Sequence, residues 1–370
     1  MIVLDQPAMV TPLANFRPLR LHILPVELPP GEKAAFPVDA LWTDRRDAAV
    51  LSGRTFGELR RRCGEVLRSV PVHAAELAVL PARWNHVAST PARVDQARNA
   101  IAAAAAQGLA TLVLCNDDSS EPLELPETHT VVLRWSLLAS RGPPNEHVLP
   151  GWSRDPLEHA RAGIFTPRPW RERPVVGFRG AVAAQGPAEI VRGRFAALRA
   201  GAWNVGWMWR RRALDRLAGV ADLTLDAETF HAYFAGAPEE QRGQVYDAYV
   251  EHLLGSDYVL CVRGRGNFSH RLYETLAVGR IPVIVDTDLA LPCADEVDWR
   301  TLGVWVPVRE LDSIGERILA FHRGVRGDAA FGAAQERCLR TYREVLAPFP
   351  FTQRLPRLLA PWLRVLAPSA

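Results

Sequence analysis

Ser256–Asp288, SDYVLCVRGRGNFSHRLYETLAVGRIPVIVDTD, is the stretch that decides the fold of this 370-residue chain. The apolar run Tyr258–Val262 meets a basic, glycine-punctuated turn, Arg263-Gly264-Arg265-Gly266-Asn267. A helix-like stretch follows from Ser269 to Val278, and a second apolar run, Ile281–Val285, ends in Asp286-Thr287-Asp288. Short length and β-branched content predict strands for both runs, because strands buried on both faces of a parallel sheet read as continuous hydrophobics. Ser269 is placed to cap the helix between them and Gly279 to stop it, with Pro282 just beyond. The stretch therefore reads as strand, loop, helix, strand.

Within that helix Leu272 and Leu276 face the sheet, while Arg271 and Glu274 share another face near the N-terminus. Free N–H groups at a helix N-terminus attract anions, and two glycines let the backbone come close to a ligand, so the turn suits a phosphate or diphosphate. Arg271 has the chemistry to donate charge-assisted hydrogen bonds to phosphate oxygens, and Glu274 to accept from ribose hydroxyls. A glycine turn with a surface Arg–Glu pair is also ordinary α/β architecture, so the loop alone leaves the ligand open.

The run from Leu260 to Pro292 narrows the choice. Its Arg-Gly-x-Gly-Asn-Phe-Ser, Arg-Leu-Tyr-Glu and Gly-Arg-Ile-Pro-Val segments with a following Asp, in this spacing, resemble the exostosin-type glycosyltransferases. The resemblance implies a GT-B fold of the α/β class, two Rossmann-like domains facing each other across a cleft, with this segment in the C-terminal nucleotide-sugar-binding domain. It implies a donor site drawn from Arg179, Arg263, Gly266, Asn267, Ser269, Arg271 and Glu274. The expected reaction moves a hexose or pentose from a nucleotide-diphosphate sugar, a UDP-sugar first of all, to a hydroxyl of a glycan or lipid-linked glycan in surface polysaccharide synthesis. No cofactor is expected, and no metal. Asp286-Thr287-Asp288 has the spacing of a metal motif but reads as a strand-end turn at the edge of the nucleotide pocket. A non-catalytic glycan- or nucleotide-sugar-binding subunit is the alternative, separated from an enzyme by the presence of a base in the cleft.

Composition agrees with a soluble globular chain of two domains: 48% of residues are hydrophobic and 23% charged. A net charge of +3 does not call for nucleic acid, and the basic residues, all Arg except Lys33, are spread along the chain. The five cysteines are odd in number and widely spaced, which predicts neither a disulfide framework nor a zinc site and favours a reducing compartment. With no apolar run long enough to cross a membrane and no leader pattern, the expectation is a cytoplasmic, bacterial-type member, with peripheral contact at the inner face of the membrane left open. The oligomeric state is not legible.

The first domain, expected over residues 1–165, opens on the alternating strand Leu19–Ile23. Phe56, Leu59, Cys63 and Val66 recur at helical spacing, with Arg60, Arg61 and Arg62 on the solvated face. Leu77–Leu80 and Thr111–Cys115 read as strands around a helix from Pro91 to about Gln107, with Thr90 as its cap and Gly108 as its stop. Their carboxyl ends then share one edge of a parallel sheet, which places His86 and Asp118 together as candidates for the base that takes the acceptor proton. Each is equally well explained by a local hydrogen bond. Thr130–Leu133 is a further strand. Residues 137–173, rich in proline and glycine, read as the passage between domains.

The second domain, expected over 166–348, begins with the strand Pro174–Phe178, leading to Arg179, which points either at the donor or at a surface carboxylate. Helical patterning covers Glu189–Ala200 and Tyr246–Leu254, and Val220–Leu225 and Val304–Val308 read as strands. Trp203, Trp207 and Trp209 favour core packing over stacking on sugars. Helices carrying Leu311, Ile314, Ile318 and Phe321, and then Ala334–Val345, complete it. In the tail, residues 349–370, Phe351, Leu355, Leu358, Leu359, Trp362 and Val365 form an apolar stripe broken by Pro356 and Pro361, with Arg354, Arg357 and Arg364 on other faces. A kinked helix crossing back to the first domain tolerates those prolines better than a continuous helix lying on a membrane.

Overall fold

The computed structural model describes residues 17–28, 35, 38–41, 54–183, 206–230 and 239–365. In the N-terminal half β1 (Leu19–Ile23), β2 (Leu67–Ser69), β3 (Leu77–Val79), β4 (Thr111–Cys115), β5 (Thr130–Arg134) and β6 (Glu146–Val148) form a parallel sheet in the order β2-β1-β3-β4-β5-β6. In the C-terminal half β7 (Val175–Ala181), β8 (Thr224–Phe230), β9 (Tyr258–Cys261), β10 (Ile281–Asp286) and β11 (Val304–Pro307) form a second, in the order β11-β10-β9-β7-β8. Both are doubly wound α/β sheets, and the loops at their carboxyl edges meet. This is the two-domain GT-B arrangement.

The period of two in each strand explains why helices cover both faces. In the first sheet Leu77, Val79, Leu112, Leu114, Val131 and Leu133 point into one core, while Ala78, Leu80, Val113, Cys115 and Val132 point into another. The second sheet divides likewise, with Tyr258, Leu260, Val283 and Val285 on one side and Val259, Cys261 and Ile284 on the other.

Several expectations change. β2 and β6 lengthen the first sheet although each has only three residues. The strand expected at Val220–Leu225 lies at Thr224–Phe230. Leu157, on the helix Pro156–Arg161, and Phe165, both before the expected boundary at 165/166, pack into the second half's core. Trp152 instead packs in the first half, with its indole N–H on the carbonyl of Leu346 at 2.6 Å. The helix expected at Glu189–Ala200, and Trp203, lie outside the described residues. Trp209 is partly buried against the second core.

The tail crosses back. Helix Pro348–Leu358 sets Phe349, Phe351 and Leu355, with Leu359 just beyond, into the first half's core beside Leu19, Leu59 and Val66. Each such buried side chain is worth about 1.5–3 kcal/mol. Arg62 lies 4.0 Å over the Phe349 ring. Arg354 and Arg357 pair with Glu296, Arg357 also with Asp295. Arg364 donates to the carbonyls of Val72, His73, Ala75 and Gln107, which pins the end of the tail to the first half. Among the described residues no helix is long and apolar enough to cross a membrane.

Candidate functional site

In an open parallel sheet the crevice forms outside the carboxyl ends of two neighbouring strands whose connections leave in opposite directions. In the second half that point lies between β7 and β9, since β8 lies on one side and β10 on the other. Arg271 sits in this crevice. Its Nη2 donates to the carbonyl of Arg179 at 2.5 Å, and the guanidinium carbon lies 4.5 Å from the centroid of the Phe178 ring. Gly180 makes room for it, because a Cβ there would stand 2.7 Å from Nη2. The Nε of Arg271 is buried without a hydrogen-bond partner. A second guanidinium, that of Arg210 on the helix Gly206–Ala218, donates to the next strand-end carbonyl, Ala181, at 3.1 Å. Two cations thus dock on the last carbonyls of β7.

Helix His270–Ala277 begins at Ser269, whose φ of −143° and ψ of 114° place it in the extended region, and Ser269 makes no side-chain cap bond. The hydroxyl and the amides of His270 and Arg271 stand ready for an acceptor-rich ligand, while the Leu272 amide donates to the Ser269 carbonyl at 3.2 Å. Gly279, with φ of 63°, ends the element as the sequence requires.

Other residues singled out in the sequence have different work. The Arg179 guanidinium pairs with Glu228, its register partner on β8, so the residue lends its carbonyl to the crevice and its charge to the neighbouring strand. Arg263 is buried and turned into its own loop, donating from Nε to the carbonyl of Gly266 at 3.2 Å and from Nη2 to that of Arg265 at 3.1 Å. Burial lowers its pKa to about 10. Asn267 is buried and fully engaged: its amide donates to Ser136 Oγ at 2.8 Å, and its side-chain nitrogen to the carbonyls of Leu137 and Asp288. Its oxygen accepts from Thr287 Oγ1 at 2.7 Å. It is a tie between the halves. Both Glu274 oxygens accept protein hydroxyls, Ser153 at 2.7 Å and Tyr249 at 2.5 Å, so that carboxylate fixes the passage between the halves.

Gly266 approaches the other half. Its amide donates to Asp118 Oδ1 at 3.2 Å, and a Cβ there would stand 2.7 Å from the Asp118 carbonyl oxygen. Asp118 is therefore held at the seam. His86 lies on the helix Trp84–Val87, beyond β3 and packed against β4. Ser140 completes the seam, donating from its amide at 3.0 Å and from its hydroxyl to the Asp288 carboxylate. The Asp286 carboxylate accepts from the amides of Asp288 and Leu289 and from the Trp305 indole. These two carboxylates are spent on the turn and the seam. Among the described residues no group of three or more His, Cys, Asp or Glu is placed to hold a metal ion.

The rim of the first half differs. At the ends of three adjacent strands β3, β4 and β5, the Oδ1 atoms of Asn85, Asn116 and Asp117 and the Nε1 of Trp135 are buried without partners. Trp135 follows β5 directly, and its amide donates to the carbonyl of Cys115 at 3.3 Å. Its ring lies 5.4 Å from Phe268 and 5.0 Å from His270 of the second half, and His270 Nδ1 is 2.9 Å from the carbonyl oxygen of Gly151. Burial, and then the Asp117 charge, push the Cys115 thiol up to about 12. Asn85, Asp117, Trp135, Ser136, Arg210 and His270 were not singled out by sequence. The signal available was position: Asp117, Trp135 and Ser136 lie one or two residues past a parallel strand.

The family model of the exostosin GT47 domain matches residues 210–320. A rice protein (Oryza sativa subsp. japonica) named a probable glucuronosyltransferase is 42% identical over 69 residues, which is 18% of this chain and 16% of that protein. An Arabidopsis thaliana protein named a probable beta-1,4-xylosyltransferase is 41% identical over 69 residues, 18% of this chain and 17% of that protein. The aligned segment is thus about a sixth of each relative's length. Among solved structures, that of CalG4, the calicheamicin glycosyltransferase, aligns over 93% of this chain and 99% of that one at 12% identity, with a TM-score of 0.32.

Proposed function

We propose that this chain, whose residues 210–320 carry an exostosin GT47 domain, is a glycosyltransferase that moves a sugar from a nucleotide-diphosphate donor to a hydroxyl of a glycan. The observation that carries the reading is Arg271, held at the crevice between β7 and β9 inside that domain, with a buried unpartnered Nε and the open N-terminus of its own helix beside it. As the bond from the anomeric carbon to the β-phosphate breaks, charge grows on the diphosphate. A guanidinium already fixed by Phe178 and the Arg179 carbonyl meets that charge without reorganising, so it stabilises the transition state more than the ground state. Arg210 adds a second positive charge at the same strand end.

We take the donor to be a UDP-sugar of the pentose or uronic acid class, in line with the names of the two plant relatives. The leaving-group charge is met by Arg271, Arg210 and the helix N-terminus, which makes the transfer metal-independent. The five cysteines are all free and four are buried, which suits a cytoplasmic enzyme acting in surface polysaccharide synthesis. An acceptor presented on a lipid would approach the open face of the cleft; Phe351, Leu355 and Leu359 of the tail stripe are buried in the first core, and Val365 is exposed.

A panel of UDP-xylose, UDP-glucuronate, UDP-glucose and UDP-N-acetylglucosamine tested for thermal stabilisation, followed by transfer assays with the best donor, examines the reading. One donor is expected to raise the melting temperature by several degrees at saturating concentration. A panel in which neither the sugars nor UDP alone shifts the melting curve would contradict it.

A further inference from the structure

We infer that the rim of the N-terminal half is a subsite for a hydroxyl-rich ligand, in which Asn85, Asn116 and Asp117 accept hydrogen bonds from sugar hydroxyls and Asp117 takes the proton of the one that reacts. The inference rests on the glycosyl-transfer reading for the proton step and on the rim alone for the binding step. Three acceptor oxygens, Oδ1 of Asn85, Asn116 and Asp117, are buried without a donor at the ends of β3 and β4. Each unsatisfied buried acceptor costs about 1–3 kcal/mol, so their gathering in one place calls for a ligand that brings donors.

The remaining orphan decides the kind of ligand. Trp135 Nε1, on the adjoining strand end, is a donor without an acceptor. An anion would satisfy Trp135 and be repelled by the three oxygens. A cation would satisfy the oxygens and leave Trp135 unpaired. A hydroxyl both donates and accepts, so a polyol satisfies all four. Trp135, with Phe268 5.4 Å away, also offers the aromatic surface on which a sugar's C–H face packs.

Asp117 and Asp118 divide the work. Asp118 is committed to the Gly266 amide of the opposite half, whereas Asp117 keeps an unpartnered oxygen among the two amides. In the direct displacement, the acceptor oxygen forms a bond to the anomeric carbon as the bond from that carbon to the diphosphate oxygen breaks. The electron pair leaves with the diphosphate, and the acceptor proton passes to the Asp117 carboxylate.

The test uses the full chain and methyl β-glycosides of xylose, glucose and glucuronic acid as probes, with binding read by saturation-transfer NMR and transfer from the best donor measured in parallel. At least one glycoside is expected to bind, and Asn116→Leu to weaken it tenfold or more. Asp117→Asn should lower transfer about 10²–10⁴-fold, a loss far larger than its effect on glycoside binding. Where Asn116→Leu melts far below the parent, Asn85→Leu replaces it. Binding of no glycoside, unchanged binding in the Asn variants, or transfer by Asp117→Asn within threefold of the parent would each overturn the inference. If the parent transfers from no donor, the glycosyl-transfer reading fails and the binding arm still decides the polyol subsite.

Discussion

The two halves have the same kind of doubly wound parallel sheet, yet their facing rims carry opposite hydrogen-bonding chemistry. At the C-terminal rim the groups left over are donors: Arg271 Nε, the Ser269 hydroxyl and the first two amides of the helix His270–Ala277. At the N-terminal rim they are mainly acceptors, the Oδ1 atoms of Asn85, Asn116 and Asp117. One rim is suited to phosphate oxygens and the other to hydroxyls. A transfer from a diphosphate to an alcohol needs that asymmetry, and a parallel sheet supplies it through the few residues that succeed each strand at its carboxyl end.

The largest expected break in the comparison is Arg271→Ala. Losing a fixed cation aimed at developing charge should lower turnover about 10²–10³-fold, measured as transfer at saturating donor. The fold should survive, since the side chain contributes about 1 kcal/mol through its contact with Phe178. Asn267→Ala addresses the seam instead. It orphans buried groups on both halves and should cost about 1–3 kcal/mol in urea unfolding, with the linkage between the halves loosened. Unchanged stability would mean that the seam is held elsewhere.

Gly180→Ala sharpens the position of Arg271. The new methyl would crowd Nη2, and the flexible guanidinium must shift, so transfer should fall about tenfold, or about 1.4 kcal/mol, with little loss of stability. Arg179→Ala should do least. Its charge is paired across strands with a half-exposed Glu228, worth about 0–1 kcal/mol, and donor affinity should stay within threefold. A large loss of donor affinity there would return the side chain to the crevice. Transfer should also persist in EDTA, and recovery of a lost activity with magnesium or manganese would remove Asp286 and Asp288 from their turn.

The sequence made the core of this comparison legible where chemistry was local. The strand, glycine turn, helix and strand of 256–288 lie where their periodicity and punctuation indicate, and Arg271 is carried to the crevice by the helix after the turn. β8 was displaced because it is largely exposed and reads Thr-Leu-Asp-Ala-Glu-Thr-Phe, with no apolar run to mark it. That shift hid the partner of Arg179, since Glu228 becomes its neighbour only in the register of β8. Asn267 looks like a ligand contact in its loop, but two of its partners, Ser136 and Leu137, lie 131 and 130 residues away. Asp117 and Asp118 are indistinguishable as adjacent carboxylates until the opposite half claims one of them.

The most direct test of the central claim is calorimetric titration of UDP into the full chain and into Arg271→Ala and Asp117→Asn. If the two rims divide donors from acceptors as described, UDP affinity falls at least tenfold in Arg271→Ala and is unchanged in Asp117→Asn. Equal affinity for UDP in the parent and Arg271→Ala, or a comparable loss in Asp117→Asn, would contradict the account.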